Sequence, residues 1–236
     1  MLPRIAIALV MLVLASYFDI KSREVQDKFW IPFAAIGTVL TAYDFYAGTP
    51  GFNLIELALA IGFTSILAWG AYFLHLYGGA DAKAISTLSV IFPIYETSSF
   101  HRLGALTTLT NSILLTALLP VALIILNLVK LSRGEKIFQG FEEESRFAKF
   151  KAMFLGLRRK EAGKYDFSME NSAEGRRRFH FSLGKIDEDF ATGRDIWVTP
   201  GIPLLVFVLL GFIITLGYGD ILFPIVSFFF RLFYRT

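Results

Sequence analysis

Six apolar stretches run along the chain, at Leu2–Ile20, Trp30–Ala47, Phe52–Leu76, Ala80–Tyr95, Leu103–Val129 and Pro200–Phe230. A helix needs ~20 apolar residues to cross ~30 Å of hydrocarbon, and five of the six reach or approach that length. The fourth has 16 residues and contains Pro93, so a short crossing and a re-entrant hairpin both fit it. Between the fifth and sixth stretches the pattern changes. Phe147, Phe150, Phe154 and Leu157 recur at helical spacing among Arg and Lys, as on an amphipathic helix lying on a membrane surface. Arg178–Leu183 alternates at period two, and with Lys164–Met169 across Glu170–Gly175 it predicts a β-hairpin. The pattern predicts an all-α polytopic membrane protein of six transmembrane helices with a small α+β insert. Helices one to five occupy residues 1–129, the insert 130–196 and helix six 197–236.

Charge orients this arrangement. Only 18% of the 236 residues are charged, and 27 of the 43 charges fall between Lys130 and Asp195. One soluble globule is excluded, because such domains carry about a quarter charged residues; disorder is excluded by the apolar content. Lys/Arg-rich loops stay cytoplasmic. With six crossings and the N-terminus outside, one side receives Lys21, Arg23, Lys28, Lys83 and the insert, 19 of the 23 basic residues. A fourth segment that failed to cross would erase this bias. The first segment has no clear small-x-small cleavage site and is followed by further spans, so it reads as a span rather than a signal peptide. The chain has no cysteine, and its three histidines (His75, His101, His180) form no His-Glu-x-x-His. Thiol nucleophiles, thiolate metal sites and zinc-protease chemistry are therefore not expected.

Acidic residues near a span are costly and face a bundle interior or a wet cavity. Asp19 ends the first span, and Asp81 follows Gly78-Gly79-Ala80 at the start of the fourth. The topology puts both at the same depth on the cytoplasmic face, as a carboxylate pair sharing one proton requires. The glycines would let backbone pass close to a neighbouring helix and to a bound peptide. A plainer role is also open to each, Asp81 as a helix cap and Asp19 as a frayed helix end. Gly217-Tyr218-Gly219-Asp220 is a stricter Gly-x-Gly-Asp, but it lies ~30 Å along the last helix, near the opposite face. Asp220 therefore reads as structural, its glycines easing helix packing, with Glu56 as a candidate partner.

Gly78-Gly79-Ala80-Asp81-Ala82-Lys83 resembles the catalytic motif of the type IV prepilin peptidases, membrane aspartic proteases with a Gly-x-Gly-Asp or related motif. Asp19 followed by Asp27 is similar to their first motif, although Gln26 stands where proline is common. Ile196–Pro203 looks like the start of the last span in the archaeal, preflagellin-processing branch. The resemblance extends over the whole chain, and Ala80 replaces the second glycine of the strict motif. It implies an endopeptidase with catalytic Asp19 and Asp81, Gly78, Gly79, Ala80 and Lys83 completing the active-site motif, and no metal or cofactor. The bacterial relatives' cysteine-rich domain is missing, so proteolysis without methylation is implied. The implied substrates are preflagellin or pilin-like precursors, cut after a short positively charged leader; lipids are the other partners, and nucleic acid is not one. Glu142-Glu143-Glu144 would either attract that leader or form the acidic first turn of a surface helix.

In the expected mechanism Asp81, at a helix N-terminus, is the base, and Asp19, near a helix C-terminus, carries the proton. Lys83 is expected to anchor at lipid headgroups. Beside a structural membrane protein with inert carboxylates, two other classes stay open at this point. One is a presenilin-like intramembrane protease using Asp220, although Phe18 separates Tyr17 from Asp19. The other is a transporter or channel with carboxylates lining its path.

Overall fold

The computed structural model describes residues 1–74, 77–95, 101–173, 176–181 and 190–233. It is mostly helical, with one small sheet region, and divides into two compact units, Met1–Thr116 with Pro203–Thr236 and Ala117–Ile202. The first unit contains α1 (Leu2–Ser22), α2 (Trp30–Tyr46) and α3 (Leu54–Leu57), which continues through a π-helical turn at Ala58–Phe63 into α4 (Thr64–Phe73). After it come α5 (Gly79–Ile91), the start of α6 (Gly104–Ser132), α8 (Leu204–Gly217) and α9 (Leu222–Phe233).

Among the described residues three helical rods are long and apolar enough to cross a membrane, Leu2–Ser22, Leu54–Phe73 and Gly104–Ser132, and the bent pair α8–α9 makes up to four. That is fewer full-length crossings than the apolar pattern suggests. The shortfall lies in α2 and α5. Helix α5 spans 13 residues, ~20 Å, and stops before Pro93, which cannot continue a helix without losing a hydrogen bond.

Short as it is, α5 is the axis of the first unit. It packs against α1, α2, α4 and α8, and Asp81, Ala82, Ala84, Ile85, Thr87, Leu88, Ser89 and Ile91 are all buried. Gly37 of α2 permits the closest approach, since a Cβ there would lie 3.0 Å from the Ile91 nitrogen. The two ends of the bundle differ in chemistry. At one end the Arg4 guanidinium reaches Asp44, Thr41 and the Ile91 carbonyl. At the other lie the C-terminus of α1 and the N-termini of α5 and α8, the end that carries Asp19 and Asp81.

The last apolar stretch is not one rod. Helices α8 and α9 meet at 72° across Tyr218–Ile221, where Gly219 takes a φ of 94° that suits glycine alone. Asn111 holds the break by donating to the Thr215 hydroxyl and the Gly219 carbonyl and accepting from Ile221 N–H. The close-packing glycine here is Gly211, whose added Cβ would lie 2.8 Å from the Thr108 carbonyl oxygen; Gly217 has open space around it. The packing role expected of Gly217 therefore belongs to Gly211, one helical face away.

The second unit builds α7 (Arg146–Leu155) and five strands onto the last turns of α6. β1 (Leu157–Glu161) and β2 (Asp166–Ser168) flank β5 (Arg194–Pro200) antiparallel, and β3 (Glu170–Ala173) pairs β4 (Arg176–Phe179). The hairpin is thus shifted from its expected register. Glu170 opens β3 instead of the turn, because its carboxylate is taken by Arg177 and by Trp197 N–H. Ser182 and Leu183 of the expected strand lie outside the described residues. Trp197 is fully buried, stacks on Phe138 at 5.4 Å and donates to the Ile137 carbonyl. The three glutamates precede α7 rather than forming its first turn, which Ser145 caps. Glu142 accepts from Gly140 N–H and Glu144 from Phe179 N–H.

Arg158 bonds Asp195 through Nε at 2.7 Å and through Nη2 at 2.5 Å, which holds the Asp195 carboxyl below its ordinary range. A depressed folded-state value stabilises the unit above the unfolded value and is lost as pH falls through the folded one. Trp197 fluorescence, in a background with Trp30 and Trp69 replaced by Phe, should be unchanged from pH 8 to about 5 and should shift only in stronger acid. A transition between pH 6 and 7 would contradict this account of the pair.

Candidate active site

Helix α1 ends in a left-handed turn at Arg23, whose φ is 59° and whose N–H donates to the Asp19 carbonyl. This turn brings the Arg23 guanidinium back to Asp19 Oδ1, at 3.7 Å. Asp19 Oδ2 accepts the N–H of Leu205 at 3.1 Å. Leu205 is in the first turn of α8, where backbone donors have no intrahelical partner. One turn back on α1, Ser16 Oγ donates to the Leu205 carbonyl at 3.0 Å. Asp19 is therefore not simply a carboxylate at a helix C-terminus. It also caps a second helix at its positive end and faces a guanidinium.

Asp81 is the third residue of α5 and only 6% exposed. Its Oδ2 accepts Gly78 N–H at 3.0 Å, so the capping role open to it from sequence is real. That role does not isolate it. α1 and α5 pack directly, and Asp81 feels the charge of Asp19. No hydrogen bond joins the two carboxylates among the described residues.

Gly78 is extended, and a Cβ on it would meet only the Asp81 carboxylate; one on Gly79 would make an ordinary contact with Tyr72. Neither glycine is needed for close helix packing, so the step Gly78-Gly79-Ala80 leaves room beside Asp81. Lys83 points to Asp27 and forms an ion pair with it. This salt bridge ties the segment after Asp19 to the segment after Asp81. Asp27 is 79% exposed at the side chain, so the pair contributes at most about 1 kcal/mol. Replacing Lys83 by Met should therefore change thermal stability by less than about 1 kcal/mol, measured by the unfolding midpoint in detergent.

Asp220 lies elsewhere, in the α8–α9 break. It pairs with His101 at 3.2 Å and accepts Phe223 N–H at the start of α9. Glu56 does not pair with it; Glu56 exchanges hydrogen bonds with Asn53 at the start of α3.

Three neighbours of the carboxylates were not singled out by sequence reasoning. Arg23 had a signal, its position four residues after Asp19. Leu205 N–H had none, because a contact across 186 positions depends on how α1 and α8 pack. Tyr77 directly precedes the glycine pair. Burial and the nearby Asp81 carboxyl push its phenol up to about 12.

Comparison with known proteins gives the chain its family. Residues 6–124 match the Type IV leader peptidase family, and residues 142–221 match the archaeal peptidase A24 C-terminus, type II. The preflagellin peptidase of Methanococcus maripaludis is 27% identical over 89% of this chain and 92% of its own length. Those of Methanocaldococcus jannaschii and Methanococcus voltae are 25% and 28% identical, over 89% and 91% of this chain and 91% and 94% of their own lengths. With the first match alone spanning half of its residues, the chain belongs to the Type IV leader peptidase family, and with it to the aspartic peptidases.

Proposed function

We propose that the chain removes the short, positively charged leader from preflagellin or pilin-like precursors at the cytoplasmic membrane face, with Asp19 and Asp81 activating one water. The observation that carries this reading is that two carboxylates on directly packed helices share one end of the bundle, beside a glycine step left open. The names of the three relatives supply the substrate class. A precursor whose apolar helix rests in the bilayer holds its basic leader in water, so the scissile bond lies at the interface.

Six alternating crossings, with the insert cytoplasmic, remain the topology we favour. Support comes from the ends of α1 and α5: Arg4 meets Ile91, while Asp19 lies near Asp81, so the two helices run in opposite directions. The basic residues then collect on the side of the two aspartates.

The surroundings of the aspartates support the opposite roles to those expected from sequence. In this proposal Asp19, at the N-terminus of α8 and facing Arg23, serves as the general base, and the more buried Asp81 as the general acid. Water oxygen attacks the carbonyl carbon as Asp19 takes its proton and Asp81 protonates the carbonyl oxygen. As the C–N bond breaks, the proton on Asp19 passes to the leaving amine and Asp81 regains its own.

The rival using Asp220 is disfavoured by the His101 pair and by the cap that Asp220 gives α9. Liposomes containing the protein test these readings together, offered a leader-bearing precursor peptide, a mid-span peptide and an ion gradient. Cleavage of the precursor alone is the expected result. Preferential cutting of the mid-span peptide, or ion flux without cutting, would overturn it. Asp220→Asn should retain precursor cleavage within about threefold.

A further inference from the structure

We infer that α7 is a membrane-surface helix that seats the second unit on the anionic lipid headgroups of the leaflet nearest the end of α6. Its sequence, Arg146 to Leu155, contains three cations and no carboxylate. Ala152 and Met153 on one side are buried against the unit's own core, whereas Phe147, Phe150 and Phe154 are 70%, 55% and 39% exposed. At ~100° per residue these three rings fall within ~60° of arc, with Arg146 and Lys151 each ~40° beyond an edge. An aromatic ridge between two long cationic side chains matches an interface that is apolar below and anionic above.

The attachment of α7 sets its level. Asn127 of α6 donates to the carbonyls of Met153 and Gly156, at 3.0 and 2.7 Å, and so grips the end of α7. One turn further along α6, Lys130 donates to the Arg158 carbonyl in β1. The order along α6 is thus α7 first and the sheet beyond it. Around that grip α6 still exposes Ile125, Leu126, Leu128, Val129 and Leu131, and the next cation after Lys130, Arg133, follows the last residue of the helix. In a candidate span of 29 residues, ~44 Å long, exposed apolar side chains on both sides of Asn127 put α7 at the depth where the helix leaves hydrocarbon. Lipid, rather than water, is the neighbour that such a level supplies. This inference does not depend on which aspartates cleave peptide.

The absence of cysteine makes the test clean, because a single introduced Cys is the only labelling site. Full-length Phe150→Cys carries a nitroxide in vesicles of pure phosphatidylcholine or with one-third phosphatidylglycerol. Leu126→Cys serves as the lipid reference and Lys160→Cys as the water reference. In anionic vesicles the label at 150 should collide with oxygen more often than with a water-soluble nickel chelate, as at 126. Adding Arg146→Glu and Lys151→Glu should shift that ratio at least threefold toward the value at 160. A label at 150 matching 160 in anionic vesicles, one shielded from both reagents by protein, or one indifferent to anionic lipid and to the charge reversals would overturn the inference.

Discussion

Asp19→Asn and Asp81→Asn should each lower kcat/KM for a preflagellin-type peptide by about 10²–10⁴, the usual range for a lost general acid or base. Both variants should still fold. An Asn oxygen can accept Leu205 N–H at position 19 and Gly78 N–H at position 81, so the two helix-terminus bonds survive. What Asp19→Asn loses in stability is the charge facing Arg23, a pair that is 20% and 13% exposed and separated by 3.7 Å. At that separation it contributes about 1 kcal/mol or less. Catalytic loss without structural loss is therefore the signature, checked by single-turnover assay beside thermal unfolding of the same preparations. Near-wild-type cleavage by either variant would remove that residue from the chemistry.

Arg4→Met should have the largest effect on stability, costing about 3–5 kcal/mol. The guanidinium is 3% exposed; it holds Asp44 through Nε at 3.1 Å and Nη2 at 2.6 Å, Thr41 at 3.0 Å and the Ile91 carbonyl at 2.7 Å. It also lies 4.9 Å from the centre of the Phe52 ring. Ile91 ends α5, so Arg4 satisfies one of the carbonyls that a helix leaves unpaired. A thioether of similar length fills the space but leaves Asp44 Oδ2 and that carbonyl without the guanidinium donors, while Thr49 still donates to Asp44 Oδ1. The unfolding midpoint in detergent should fall by roughly 6–20 °C at the usual ~2–4 °C per kcal/mol for a chain of this size. Arg4→Met combined with Asp44→Leu should recover at least half of the loss, because the orphaned charge is gone. Cleavage per folded molecule should stay within about twofold, since Arg4 is at the bundle end remote from Asp19. A loss below about 1 kcal/mol would show that the buried network is inert.

How much of this was legible in the sequence varies with the range of the interaction. The ends of α1, α2 and the Asp81 helix follow from local signals: a run of apolar residues, Pro93 after the last turn, the glycine pair before the first. The placement of Asp19 and Asp81 at one end follows from charge bias alone. Arg4 shows the limit. Read locally it is a flanking charge, and only the packing of α1 against α2 and α5 reveals it as the centre of a buried network. The protonation argument from sequence is incomplete for the same reason. Position in α1 puts Asp19 at a negative helix end, while the neighbour that matters, Leu205, comes from the far end of the chain. The last apolar stretch reads as one straight helix because hydropathy is blind to a 72° bend set by Gly219 and by Asn111 in another helix.

The pairing of Asp19 with Asp81 is tested most directly by the pH dependence of kcat/KM for precursor cleavage by the wild-type protein. A carboxylate and a carboxylic acid that must coexist give a bell, falling on both the acid and the alkaline side, with apparent values that belong to the pair. Such a bell, lost in the two single Asn variants, is the predicted result. A profile that lacks either limb, or one that an Asn variant retains, would contradict the pair.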